Sequence, residues 1–356
     1  MTTNRLRKAQ ENLTVWGVDA LVVTAPQDLL YLTNLTLSRG TLFISEETIC
    51  LIVDGRYFQA CKEKCAFEVQ LAGPQTLKDQ FIGKAIAKVG FDQEAESYAS
   101  YTKLKALIGD KLVPLSKPIL QMRAVKDERE IEKIKAACNL GSLGFDFTVS
   151  QLREGITEKM VAAELDIFWK KRGADGLAFS PIIAFGKNSA LPHHRAGDTA
   201  LVKNEIVLID IGVQLDGYNS DMTRMVYFGS VDPKLEQICQ VCLSAQSAAL
   251  IACKAGIFTS ELDQIARDVI TAAGFGEYFV HGLGHGVGLD IHEEPIVKKD
   301  LQIKDTKLEA GMVVTIEPGI YLPGLGGCRI EDQVLINDGG CQNLTKRNAA
   351  PLKVTI

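Results

Sequence analysis

The residues able to do chemistry gather in the second half of the chain. Asp210 and Asp221 lie in IVLIDIGVQLDGYNSDMTRMVYF, two β-rich runs on either side of a polar break containing Asp216-Gly217. Folded about Leu215-Asp216, this hairpin sets Asp210 directly opposite Asp221. Facing residues in such a pair have Cβ atoms roughly 4.5–5.5 Å apart, where like charges repel. Buried, the pair needs a shared proton or a cation between its members. On a surface hairpin the same acids would face solvent, although the flanking VLI and MVY runs favour burial.

The five histidines are clustered: His193 and His194, then His281, His285 and His292 in HGLGHGVGLDIHE. Glycines at 282, 284, 286 and 288 make that segment a poor helix, each costing about 1 kcal/mol, but allow close backbone packing around a ligand or metal. A zincin motif fails, because His292-Glu293 is followed by Glu294-Pro295-Ile296 and no second histidine. A dinucleotide fingerprint fails as well, the glycines alternating instead of following Gly-x-Gly-x-x-Gly. Further on, VVTIEPG (313–319) echoes VLIDIG (207–212): an apolar strand, one acid, then glycine, with a second acid following, Asp221 in one case and Glu331 in the other. The echo suggests two related hairpins facing one cavity. Glu317 and Glu331 join the two aspartates, and with a histidine they make an oxygen-rich site suited to two divalent cations such as manganese, with cobalt or zinc as alternatives. Without metal, clustered carboxylates would leave unpaired charge in a core. Two cations can acidify a shared water and clamp a tetrahedral intermediate, which is hydrolytic chemistry.

Two α/β regions position these residues. Residues 1–122 alternate helix and strand: Leu6–Trp16 helical, Asp19–Pro26 a buried strand, Thr41–Tyr57 a hairpin, Tyr57–Lys64 helical, Val89–Asp92 a strand. No phosphate-binding glycine loop is present. Residues 123–356 begin with a long helix through RAVKDEREIEKIKAACNLGSLGFDFTV, with Ile131, Ile134, Ala137 and Cys138 on its apolar face. A second helix starts at Thr157 as N-cap and stops at Gly173. Others span 232–255, carrying Cys239 and Cys242 as core packing, and 260–273.

A net charge of −5, with 46% hydrophobic and 23% charged residues, offers no electrostatic case for nucleic acid or an anionic membrane. No apolar run reaches the roughly 18 residues of a membrane helix, and the polar start MTTNRLRKAQENL lacks a signal-peptide core. Nine scattered cysteines suit reduced thiols, so a cytoplasmic location is expected.

Taken together, DLLYLTN and DGRY, RAVKDEREIEKIKAA, DIG…GYNSDMTR, HGLGHGVGLDIHE, TIEPGIY and GGCRIED resemble the proline-specific pita-bread metallopeptidases, the Xaa-Pro aminopeptidases and Xaa-Pro dipeptidases (prolidases). The resemblance spans nearly the whole chain. It implies a creatinase-like N-terminal domain over 1–122 and a pita-bread catalytic domain over 123–356. It also implies that Asp210 binds one metal, Asp221 and Glu331 bridge both, and His285 and Glu317 complete the second. Glu317 would accept a proton from the nucleophilic, metal-bridging hydroxide's parent water. His193 would contact substrate near the leaving group, His281 and His292 would position the scissile carbonyl, and Arg329 would tie down the acids. Ile296 departs from the family pattern, which often places there an arginine able to meet the substrate's far carboxylate. The expectation is therefore an Xaa-Pro aminopeptidase acting on peptides with proline second. The alternatives are a strict dipeptidase and, more distantly, an inactive peptide-binding module. A homodimer is usual among relatives.

Overall fold

The computed structural model describes residues 2–81, 84–300, 302 and 305–354. The chain divides into two compact units, Met1–Arg123 and Ala124–Ile356. In the first, short apolar runs are buried almost throughout and become the strands β1 (Ala20–Val23), β2 (Thr41–Ser45) and β3 (Ile49–Val53). With β4 (Glu68–Leu71), β5 (Val89–Asp92) and β6 (Leu112–Leu115) they form one sheet in the order β4-β3-β2-β1-β5-β6. β1, β2 and β3 pair antiparallel, while β4, β5 and β6 join parallel, as an α/β unit requires.

The second unit opens differently from the sequence expectation. The long helix runs from Glu128 to Gln151 and not from the preceding RAV, because Asp127 terminates it. The Asp127 carboxylate accepts the amides of Arg129 and Glu130 at 3.1 and 3.0 Å, and Glu130 reciprocates to the Asp127 amide at 3.0 Å. Val125 ahead of this cap bridges Met312 in extended conformation. The next helix, Glu158–Lys170, is capped by the expected Thr157, whose side chain accepts from the Met160 amide. Helices Pro233–Ala252 and Thr259–Ala272 pack over the sheets, with Cys239 and Cys242 buried among Leu235, Ile238 and Leu262. Among the described residues no helix is long and apolar enough to cross a membrane.

Two interrupted hairpins form the centre of this unit. After β7 (Gly176–Leu177) and β8 (Ile182–Phe185), the first has β9 (Glu205–Ile211) paired with β12 (Met222–Phe228) and, beyond a break, β10 (Val213–Leu215) paired with β11 (Tyr218–Asn219). The turn is Asp216-Gly217, with φ of +49° and +79°, the two-residue turn with both central φ positive that matches strand twist. It lies one residue beyond the turn expected from sequence, so Asp210 stands opposite Thr223, not Asp221. The offset is two residues in register, and since side chains alternate with period two, Asp210 and Asp221 still share a face. β13 (Gly284–Gly286) carries the glycine-rich segment and pairs with β14 (Glu293–Val297) and β15 (Val313–Ile316). In the second hairpin β15 pairs with β18 (Asp332–Asn337), then after a break β16 (Gly319–Leu322) pairs with β17 (Gly326–Arg329).

Candidate metal centre

The breaks in the two hairpins are where the acids sit. Asp210 is the penultimate residue of β9, and Asp221 lies just before β12. Glu317 follows β15 and Glu331 precedes β18. The hairpins are bolted together here: the Glu331 amide donates to the Thr223 carbonyl at 3.2 Å, and the Thr223 hydroxyl donates to Glu331 Oε2 at 2.6 Å. Arg224, buried beside them, donates to Asp332 Oδ1 at 2.5 Å. The Asp221 amide is held by Gln333 Oε1 at 3.0 Å.

His285 comes from β13, and its glycine neighbours are needed there. A methyl group on Gly284 would collide with the Thr315 carbonyl, and one on Gly286 with the Glu294 carbonyl. The His285 amide donates to Thr315 Oγ1 at 3.1 Å, which in turn donates to Glu317 Oε1 at 3.0 Å. Its Nδ1 faces the Gly286 carbonyl at 3.0 Å, and since a carbonyl only accepts, Nδ1 carries the proton and Nε2 turns to the acids. Nε2 lies 3.3 Å from Glu317 Oε1 and 3.6 Å from Asp221 Oδ2. One donor atom each from Asp221, His285 and Glu331 lie within 4.8 Å of one another.

These residues and Asp210 border a cavity of about 880 Å³, together with His193, His281, His292 and Arg329. All nine site residues expected from sequence therefore meet in one place. Arg329 donates to Asp210 Oδ2 and, at 2.6 Å, to the Tyr321 hydroxyl. Tyr321 donates onward to His281 Nε2 at 2.9 Å, and His281 Nδ1 donates to the Gly282 carbonyl at 2.8 Å. The His292 ring stands edge-on to His285 at 4.2 Å. His193 is exposed at the cavity wall. Its neighbour His194, left out of the site in the sequence reading, is tied at 2.8 Å to the buried Glu158.

Burial pushes Asp221 well above the usual carboxylate range, and the charge of Asp210 adds to it. Burial does the same to Glu331, reinforced by Asp221 and Glu317. Asp210 is raised by burial despite the opposing Arg329. Burial also acts on Glu317, but the hydrogen bond and charge of His285 overcome it and bring it down to about 2. Conversely, burial lowers His285, but the bond and charge of Glu317 win and raise it to about 9. Asp210 Oδ1 is buried with no hydrogen-bond partner among the described residues. A buried carboxylate oxygen with no partner, acids whose charged form burial disfavours and an imidazole nitrogen turned toward them are residues that fit divalent cations.

Sequence reasoning missed Thr223, Thr315, Tyr321, Gln333 and Glu158. Thr223 and Thr315 each lie on a strand two residues from a site acid just beyond its end, so period-two alternation was the signal available for them.

Comparison with known proteins bears on the same residues. Residues 132–338 match the model for metallopeptidase family M24, and residues 5–125 match the creatinase/prolidase N-terminal domain. The chain is 36% identical over 346 residues to an Xaa-Pro dipeptidase of Pyrococcus horikoshii, covering 96% of this chain and 97% of that one. It superposes on an Xaa-Pro dipeptidase from Bacillus anthracis with a TM-score of 0.95 at 33% identity, covering 99% and 100% of the two chains. An X-Pro aminopeptidase from Thermotoga maritima gives 0.88 at 36% identity, covering 97% and 100%. Dipeptidases, the alternative reading above, are better represented among these relatives than the aminopeptidase expected first. Matched through both units and across the acid-bearing hairpins, the chain belongs to metallopeptidase family M24, with a creatinase/prolidase N-terminal domain and a pita-bread catalytic domain.

Proposed function

We propose that this metallopeptidase is an Xaa-Pro dipeptidase, cleaving the bond between an N-terminal residue and a following proline. The observation that carries this reading is the convergence of Asp221, His285 and Glu331, flanked by Asp210 and Glu317, on one cavity. The names of the relatives support the choice of proline and of dipeptides. Asp210, Asp221, His285, Glu317 and Glu331 would hold two divalent cations, manganese suiting a set dominated by carboxylate oxygen. When bound, the cations supply Lewis acidity that lowers the pKa of water and offsets the charge of the tetrahedral species.

The remaining steps belong to the protein. Glu317, with Oε1 steadied by Thr315, accepts the proton of the attacking water. His292 orients the scissile carbonyl; burial, aided by the neighbouring His285, lowers its pKa and favours the neutral ring. His281 has its Nε2 taken by the Tyr321 hydroxyl, so it acts through Tyr321 and Arg329 on the orientation of Asp210. His193, exposed at the cavity wall, hands a proton to the departing proline nitrogen.

An aminopeptidase is the second reading, favoured by Ile296, an apolar residue on the cavity wall where a carboxylate would need a cation. Manganese-loaded protein should bind two cations per chain and hydrolyse an Xaa-Pro dipeptide well ahead of an Xaa-Pro-Xaa tripeptide. Equal rates would transfer the assignment to the aminopeptidase. Absence of both bound manganese and hydrolysis would favour an inactive peptide-binding module.

A further inference from the structure

We propose that Arg195 is the residue that reads the terminal carboxylate of the substrate, restricting this chain to free-acid peptides ending at proline. The inference deepens the dipeptidase reading and rests on it. In an Xaa-Pro dipeptide the carboxylate sits on the proline ring itself, next to the leaving nitrogen. Drawn into the cavity, it needs a cation with matching donors, or its desolvation cancels the binding.

The cations bordering the cavity are Lys159, Arg195, Lys298 and Arg329. Three of them are already matched. Lys159 pairs with Asp198, Lys298 with Asp300 at 2.9 Å, and Arg329 with Asp210. Arg195 has no ion pair or hydrogen bond from its side chain among the described residues, and it is exposed. Ile296 on the same wall offers a carboxylate nothing.

The backbone on both sides of Arg195 is fastened. The His194 amide donates to the Leu191 carbonyl at 3.1 Å, and the Lys159 amide donates to the Gly197 carbonyl at 3.0 Å. Glu158, fully buried, accepts from the Gly197 amide at 3.0 Å and holds His194 Nε2 at 2.8 Å. A guanidinium is thus mounted on an anchored loop two residues from His193, which faces the leaving nitrogen in the mechanism above. Its planar fork suits bidentate capture of a carboxylate better than an ammonium does.

The test compares an Xaa-Pro dipeptide with its C-terminal amide on manganese-loaded enzyme. The parent should favour the free acid by tenfold or more in kcat/KM. Arg195→Gln should erase that preference through KM while leaving the amide unchanged, Arg195→Lys should restore part of it, and Lys298→Gln should preserve it. A preference that survives Arg195→Gln, or one lost in Lys298→Gln instead, overturns the proposal. Calorimetric binding of proline against prolinamide separates this from failure of the dipeptidase reading, since it needs no turnover. Tenfold weaker proline binding in Arg195→Gln supports the clamp, and unchanged binding refutes it.

Discussion

Glu158→Gln isolates how the loop bearing His193 is held. The Glu158 side chain is completely buried. Oε1 accepts from the Phe185 amide at 2.9 Å and Asn188 Nδ2 at 2.8 Å, while Oε2 meets the Gly197 amide at 3.0 Å and His194 Nε2 at 2.8 Å. Glutamine keeps the shape and one acceptor. Its amide nitrogen can still satisfy His194, whose Nε2 turns acceptor when the proton moves to Nδ1, but it confronts the Gly197 N–H donor to donor. One lost bond that strands a donor costs about 1–3 kcal/mol, and at about 2–4 °C per kcal/mol for a unit of this size the melting point should fall by about 2–12 °C. A surface ion pair would contribute about 0–1 kcal/mol, so the magnitude discriminates. Calorimetry of the full chain reads the main transition. A variant melting within about 1 °C of the parent would refute the claim that this carboxylate fastens the loop.

At Gly284, alanine would meet the Thr315 carbonyl, a backbone atom with no room to retreat. Thr315 also steadies His285 and Glu317, so Gly284→Ala should cost about 1–3 kcal/mol in urea unfolding and lower the manganese bound per chain; unchanged stoichiometry would count against it. Cation binding should depend on pH with a definite sign. His285 is raised to about 9, so in cation-free protein near neutrality it is protonated, and manganese must displace that proton. Apparent affinity should therefore weaken as pH falls below about 9, and adding manganese to weakly buffered protein should acidify the solution. A titration that releases no protons would contradict the assignment of His285.

Much of the site was legible because strands and glycines leave strong local signatures. Asp210 and Glu317 each end an apolar run before a glycine, and alternating glycines around His285 exclude a helix. What was lost was partly local and partly long-range. The turn at Asp216-Gly217 needs positive φ at both residues, and placing it one residue early moved the pairing of Asp210 from Thr223 to Asp221. The start of the long helix was set by Asp127 reaching the amides of Arg129 and Glu130, a local signal overlooked beside the charged run that follows. Glu158 carried no signal, and Tyr321, although it ends the TIEPGIY run, carried none for its role, since each matters through partners far along the chain, His281 for Tyr321 and Phe185, His194 and Gly197 for Glu158.

The paired strands also act as rulers. In each hairpin the inner and outer ladders keep one count across the break: residue numbers facing each other in β9–β12 and β10–β11 follow a single register, as do those in β15–β18 and β16–β17. Adding or deleting one residue between an acid and its turn would swing that acid from the cavity into the apolar layer behind it. Length changes can therefore be absorbed only at the tips, at Asp216-Gly217 and between Leu322 and Gly326, which makes those tips the places where insertions should be tolerated and the stems between them places where none should be.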